Sequence, residues 1–326
     1  MSSNRPYLVA TALHAVRTGT RLCRSVQATL TAGDAIYKKD KSPVTVADLA
    51  TQAIVAHRLA EALPGIPLVG EEDSSVFDGE DGQALTKAVL ERVRSAWPQA
   101  DPSALRAAID LGRGTGGATG RFFTLDPIDG TKGFLRGEQY AIALALVEEG
   151  VVTLGVLGCP NLTAPGWVGG SVLVGVRGAG TRLLATDGDD LAGTAVHVSR
   201  EPDPARLRLC ESADPGHSDQ SVSRAILARL GASAPPVRMD GQTKYAALAW
   251  GSVELYLYTP TEPGRREWIW DHAAGAICVE EAGGRVTDLD GKPLDFSRGR
   301  RLTGNRGILA SNARLHDAVL EALVAT

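Results

Sequence analysis

The sequence predicts an α/β protein in two domains, residues 1–190 and 191–326. Three observations predict it. Beyond residue 190, strand candidates at 195–199, 207–211 and 253–258 alternate with helix candidates at 220–230, 272–282 and 313–323, the order of an α/β unit. Before it, the apolar runs 142–147 and 151–157 flank Glu149-Gly150 and read as a hairpin. Between the halves lies Asp187-Gly188-Asp189-Asp190, polar and turn-forming, which suits a boundary.

The remaining elements follow in order. From residue 6 to about 30, Leu8, Ala12, Val16 and Leu22 recur at helical spacing. A second helix is expected over 48–62, with Asp48 near its start and Pro64-Gly65 past its end. Residues 67–70 form a short strand running straight into Glu71. Two helical pieces fill 84–110, broken at Pro98 and Pro102. Residues 121–125 read as a strand that ends in Asp126-Pro127-Ile128-Asp129, and from 140 to 174 the pattern is β.

Composition narrows the function. Of 326 residues, 44% are hydrophobic and 22% charged, ordinary for a globular chain. The formal net charge is −4 and Lys and Arg are scattered, so no nucleic-acid partner is expected. The N-terminus lacks the apolar core of a signal peptide, and no apolar run approaches the roughly 20 residues of a membrane helix, so no membrane role is expected. Cys23, Cys159, Cys210 and Cys278 sit far apart among apolar neighbours, which predicts buried free thiols and a cytoplasmic protein. Residues 112–117 formally fit Gly-x-Gly-x-x-Gly, but they follow a helix and precede a strand, the reverse of a dinucleotide fold; a flexible loop is expected. Asp288-Leu289-Asp290-Gly291 reads as a hairpin turn rather than a calcium loop.

Residues 125–136 carry the chemistry. Asp126 and Asp129 stand three apart, stiffened by Pro127, and Gly130 and Thr131 follow at once. The carboxylates supply hard oxygen ligands for a cation such as Mg²⁺. Free backbone N–H groups at the turn suit a phosphate. Metal beside phosphate is the arrangement of metal-assisted phosphoester hydrolysis.

Asp-Pro-Ile-Asp-Gly-Thr resembles the signature of the inositol monophosphatase superfamily, magnesium-dependent and lithium-sensitive. The longer run through Lys132-Gly133-Phe134-Leu135-Arg136 is similar to one branch, the 3′(2′),5′-bisphosphate nucleotidases. Three more segments match in the same order: Lys41–Asp48, Val69–Ser74 and Ile269–Gly275. The resemblance runs from about Lys39 to Ser311. It implies a layered α/β/α/β/α sandwich with the active site between two domains. It implies two or three Mg²⁺ ions held by Glu71, Asp126, Asp129, Asp271 and the Ile128 carbonyl. Asp48 and Thr131 would take a proton from the attacking water, and Gly130 and Thr131 would hold the scissile phosphate. His217, Gly241, Lys244, Tyr258 and Asp271 stand at positions that contact the nucleotide.

Singly, these acids have plainer readings. Asp48 and Asp271 could each cap a following helix, and Asp126 and Asp129 could be turn residues. The set argues otherwise, because converging carboxylates repel one another without cations. Two departures bear on substrate choice: Gly241 replaces the usual Ser, and Tyr258 the usual Arg. Arg265 and Arg266 are candidates to restore the lost charge. The implied activity is removal of the 3′-phosphate of adenosine 3′,5′-bisphosphate by a monomer or homodimer whose partner is this small phosphorylated nucleotide. The alternatives are an inositol phosphate phosphatase and a non-catalytic metal or nucleotide binder.

Overall fold

Alternation of large and small side chains along the central strands sets the architecture. The structure, a computed structural model, describes residues 5–29, 36–37, 43–79, 81–262 and 264–324. The N-terminal part contains α1 (Arg5–Gln27), the paired β1 (Ile36–Tyr37) and β2 (Pro43–Val44), α2 (Val46–Ala62), β3 (Leu68–Gly70), α3 (Gly82–Val93), α4 (Pro102–Asp110) and β4 (Arg121–Asp129). There follow α5 (Thr131–Leu135), β5 (Ala141–Glu148), β6 (Val151–Cys159), β7 (Ser171–Val176), β8 (Gly180–Ala185) and β9 (Thr194–Val196). The rest contains β10 (Leu209–Ser212), α6 (Gln220–Leu230), β11 (Val237–Met239), α7 (Thr243–Ala249), β12 (Leu255–Tyr258), α8 (Ala273–Glu281), β13 (Arg285–Thr287), β14 (Ile308–Ser311) and α9 (His316–Val324).

Seven strands form one sheet in the order β3-β4-β5-β6-β7-β8-β9, and five form another in the order β11-β10-β12-β14-β13. On β5, Ile142, Leu144 and Leu146 face α1 and α2 and build one core. The alternate residues Ala141, Ala143 and Ala145 face the opposite way, into a second core with Ala273, Ala274 and Ala276 of α8. Small residues on both sides let helix and sheet approach: a Cβ on Gly155 of β6 would stand 2.7 Å from the Ala274 carbonyl oxygen. Helices α7 and α8 therefore lie between the two sheets. Leu209, Leu255, Leu257 and Leu309 form a third core on the outer face of the small sheet, which α6 and α9 cover. The result is the five-layer α/β/α/β/α sandwich that the sequence resemblance implies.

Several details differ from the sequence reading. The strand expected at 195–199 is Thr194–Val196, and it pairs with β8 at the edge of the large sheet instead of joining the second. The helix expected at 272–282 is α8, and a 3₁₀ turn at Ile269–Asp271, not foreseen in the sequence, precedes it. Helix α7 and strands β11, β13 and β14 are too short to show a period in the sequence. The glycine stretch 112–117 is pinned in part: Gly112 O accepts from Gly70 N–H at 2.8 Å and Gly114 N–H donates to Leu68 O at 2.9 Å. All four cysteines are buried and free. Among the described residues, no helix is long and apolar enough to cross a membrane.

Candidate active site

The end of β4 is built to aim two carboxylates one way. Residues three apart on a regular strand face opposite sides. Here Asp126 pairs with Ala143 and Asp129 with Ala141, so the register slips by one residue. Pro127 lies in the slip, where it has no N–H to give the ladder. Such a bulge re-aims a side chain, and Asp126, Ile128 and Asp129 all line one cleft of about 250 Å³. Asp126 Oδ1 accepts from the Ile128 N–H at 3.0 Å, which fixes the turn. Gly130 then takes φ +96° and admits Thr131, the first residue of α5. The Thr131 hydroxyl donates to the Ile128 carbonyl at 3.2 Å.

Helix α2 supports this floor from one side. Thr45 and Asp48 form a capping box: the Thr45 N–H and hydroxyl donate to Asp48 Oδ2 at 2.8 and 2.5 Å. The cap reading of Asp48 is therefore correct in part, since Asp48 is the third helical residue of the box. Its charge also reaches Asp126. One turn on, Gln52 Oε1 accepts from Glu72 N–H at 3.0 Å, and Gln52 Nε2 donates to the Glu72 and Ile109 carbonyls at 2.6 and 2.9 Å. That buried amide fixes the loop carrying Glu71, which lines the cleft. Asp73 caps the next 3₁₀ turn. Lys41 and Ser42 of the sequence motif lie outside the described residues.

The opposite wall comes from the small sheet and its helices. Asp271 lines the cleft from its 3₁₀ turn, and α8 has no side-chain cap, so the cap reading of Asp271 does not hold. Gln242, at the entry to α7, donates to the Trp270 carbonyl at 2.8 Å and accepts from Gly275 N–H at 2.9 Å. It also hydrogen-bonds Asp129 through side chain and backbone. Lys132 reaches across to Asp214 at 2.5 Å, and Arg136 to Asp240 at 2.5 Å.

The expected nucleotide contacts divide. His217, Gly241 and Lys244 line the cleft. Lys244 is buried, with its ammonium 5.3 Å from the Tyr256 ring centroid. Tyr258 is not among the lining residues. It is buried behind them, donates its hydroxyl to Glu267 Oε1 at 2.9 Å and tilts against His217 at 5.3 Å between ring centroids. Arg265 Nε reaches the same Glu267 oxygen at 3.2 Å. Arg266 turns back to the Arg265 carbonyl.

Sequence reasoning missed Glu267, His272 and Gln242. Glu267, Asp271 and His272 bring one ligand atom each within 4.8 Å of one another. His272 Nδ1 lies 2.9 Å from the Tyr245 hydroxyl, while its buried Nε2 has no hydrogen-bond partner among the described residues. The adjacent Trp-Asp-His was a usable signal for His272. Nothing local marks Glu267 or Gln242.

The cleft is electrically divided. Burial, then repulsion from Glu71, Asp129, Asp271 and Asp48, holds the Asp126 carboxyl well above the ordinary range. Burial pushes Asp129 up to about 6, against the pull of Lys244 and the Gln242 hydrogen bonds. Burial, then Asp129 and Glu267, raises Asp271. Across the cleft, burial and then Lys244 and Arg265 push His217 down to about 4. Burial, then His217 and Lys244, pushes His272 down to about 3. Carboxylates that resist ionising together are a poor arrangement without a cation and a good one with it. An all-oxygen donor set fits a small hard divalent ion.

A five-layer sandwich with this carboxylate floor defines a class. Residues 5–326 match the model of the inositol monophosphatase family, and the chain belongs to that family. Within it, the chain is 42% identical over 311 residues to the 3′(2′),5′-bisphosphate nucleotidase of Schizosaccharomyces pombe, spanning 90% of this chain and 87% of the relative. It is 40% identical over 345 residues to the 3′(2′),5′-bisphosphate nucleotidase of Oryza sativa, spanning 99% and 95%. Among solved structures, an inositol monophosphatase from Anabaena superposes with a TM-score of 0.66 at 20% identity, covering 99% of this chain and 98% of the other. One from Zymomonas mobilis gives 0.63 at 20% identity, covering 99% and 100%. At that identity the solved structures attest the fold.

Proposed function

We propose that the protein is a Mg²⁺-dependent phosphomonoesterase that removes the 3′-phosphate of adenosine 3′,5′-bisphosphate, giving AMP and phosphate. The sulfated analogue, 3′-phosphoadenosine 5′-phosphosulfate, is a second substrate on the same reading. The observation that carries it is one cleft with a self-repelling carboxylate floor and a wall of Lys244, His217 and His272, in a chain about 40% identical to named bisphosphate nucleotidases.

Glu71, Asp126, Asp129, Asp271 and the Ile128 carbonyl would hold two or three Mg²⁺ ions. When bound, Mg²⁺ offsets the charge of a phosphate dianion and lowers the pKa of a coordinated water. The chain's own groups do the rest. Asp48 would accept the proton of the attacking water through Thr131, whose hydroxyl would turn from the Ile128 carbonyl to do so, since a hydroxyl alone is too weak a base. Gly130 and Thr131 seat the scissile phosphate. Lys244 acts as a point charge for the second phosphate. The nucleoside lies against His217 and Gly241, with Tyr258 supporting His217 from behind. Four buried free thiols support a reducing compartment, and we place the protein in the cytoplasm.

Phosphorus NMR of the reaction tests the assignment. Loss of the 3′ resonance of adenosine 3′,5′-bisphosphate, with the 5′-phosphate of AMP retained, is expected. Loss of the 5′ resonance, or no reaction, contradicts it.

A further inference from the structure

Arg300 lies in a stretch, Arg298 to Leu302, outside every motif that points to the site. Its half-buried guanidinium reaches three backbone carbonyls. Nη1 donates to Gly112 at 3.1 Å and to Gly114 at 2.8 Å, and Nη2 donates to Gly70 at 2.7 Å. The same guanidinium lies over the Trp270 ring, 4.8 Å from its centroid. Trp270 stacks on Trp268 at 4.6 Å, and Arg301 covers the far face of that pair at 3.2 Å from the Trp268 centroid.

These partners adjoin the site at both ends. Gly70 immediately precedes Glu71, and its N–H donates to the Gly112 carbonyl that Arg300 also holds. Trp270 immediately precedes Asp271. The backbone around Arg300 is laced to the backbone before Asp271: Ile269 N–H donates to Arg300 O at 3.1 Å, and Leu302 N–H donates to Glu267 O at 2.9 Å. That frame is fixed whatever side chain stands at 300. The guanidinium carries it across to Gly70. Glu71 follows a strand of the seven-stranded sheet, whereas Asp271 precedes the helix between the sheets.

We propose that Arg300 is a positioning residue that sets the separation of Glu71 and Asp271, and with it the affinity of the carboxylate floor for a divalent cation. This rests on the reading of those two acids as metal ligands. The chemistry asks for Arg in particular. A planar fork can serve three carbonyls and stack on an indole together, and an ammonium cannot. Groups that orient metal ligands without touching the metal typically cost about 10–100-fold in metal affinity when removed.

The test is calorimetric titration of Mg²⁺ into wild-type protein, Arg300→Met and Arg300→Lys, without substrate. Near-ultraviolet circular dichroism checks that each variant is folded. Arg300→Met is expected to bind Mg²⁺ roughly 10–100-fold more weakly. Arg300→Lys should fall between, because it keeps a charge but loses the fork. Should the Met variant fail to fold, the Lys variant decides alone. A folded variant with wild-type Mg²⁺ affinity and merely a lower melting temperature would show Arg300 to be structural and overturn the proposal. Wild-type protein that bound no Mg²⁺ would instead overturn the metal reading.

Discussion

A Cβ at Gly241 would stand 2.1 Å from the carbonyl oxygen of Asp129. Gly241 also takes φ +59°, a conformation that L side chains rarely adopt. Glycine at the position where Ser is expected thus lets the turn before α7 close on the end of β4. It places Gln242 against Asp129. Gly241→Ser is expected to cost about 1–3 kcal/mol of stability through strain and to weaken Mg²⁺ binding. Thermal unfolding with and without Mg²⁺ measures both. A variant as stable as wild type and no weaker for Mg²⁺ would contradict this.

Asp48 has a capping role and a proposed role as proton acceptor, and substitution separates them. Asp48→Asn removes the negative charge of the capping box at the helix start, worth roughly 0.3–1 kcal/mol. It also removes the proposed proton acceptor, worth about 10²–10⁴-fold in kcat. Both losses are expected, with KM little changed. Near-normal kcat with lowered stability would leave Asp48 as a helix cap alone.

Raised carboxyl pKa values give the metal-free protein a definite pH response. Asp129 at about 6 binds its proton more tightly in the folded chain than in the unfolded one. Its stabilising contribution is therefore complete below the ordinary carboxylate pKa of about 4 and is lost as pH rises through about 6. Asp126 and Asp271 shift in the same direction. In EDTA, the melting temperature should fall between about pH 6.5 and pH 8 through Asp126 and Asp271, above the range where the neutral His217 and His272 act in the opposite sense. Added Mg²⁺ should restore more at the high end, where the carboxylates are free to bind it. A melting temperature in EDTA that rose over this range would count against it.

Of the two neighbouring arginines, Arg265 is the candidate for the cation missing at Tyr258. Its guanidinium shares the Glu267 oxygen with the Tyr258 hydroxyl, and its charge is felt at His217, His272 and Asp271. Loss of one charge-assisted contact to the second phosphate is worth about 1.5–3 kcal/mol, or roughly 10–150-fold in affinity. Arg265→Ala should raise KM for adenosine 3′,5′-bisphosphate by that factor and leave 3′-AMP nearly unchanged, with Arg266→Ala silent. If Arg266→Ala alone moved the bisphosphate KM, the neighbouring arginine would be the replacement.

What the sequence makes legible is what is local. The β5–β6 hairpin shows in its alternation, and Asp126 and Asp129 show in a strand that ends in a proline turn. The groups that orient them do not. Gln52 acts on Glu72 and Ile109, Gln242 on Trp270 and Gly275, and Arg300 on Gly70 and Gly112. Each contact joins segments distant in sequence, and none leaves a period or a motif. That β9 joins the large sheet does not show in the sequence for the same reason: a three-residue strand carries no record of its partner. The family resemblance puts Tyr258 among the nucleotide contacts, but its side chain is taken by Glu267 and does not line the cleft.

Phosphate release from adenosine 3′,5′-bisphosphate and from inositol 1,4-bisphosphate, compared with Mg²⁺ and in excess EDTA, tests the central claim most directly. The account predicts a much larger kcat/KM for the nucleotide, and no turnover of either substrate in EDTA. Full turnover in EDTA, or preference for the inositol phosphate, would contradict it.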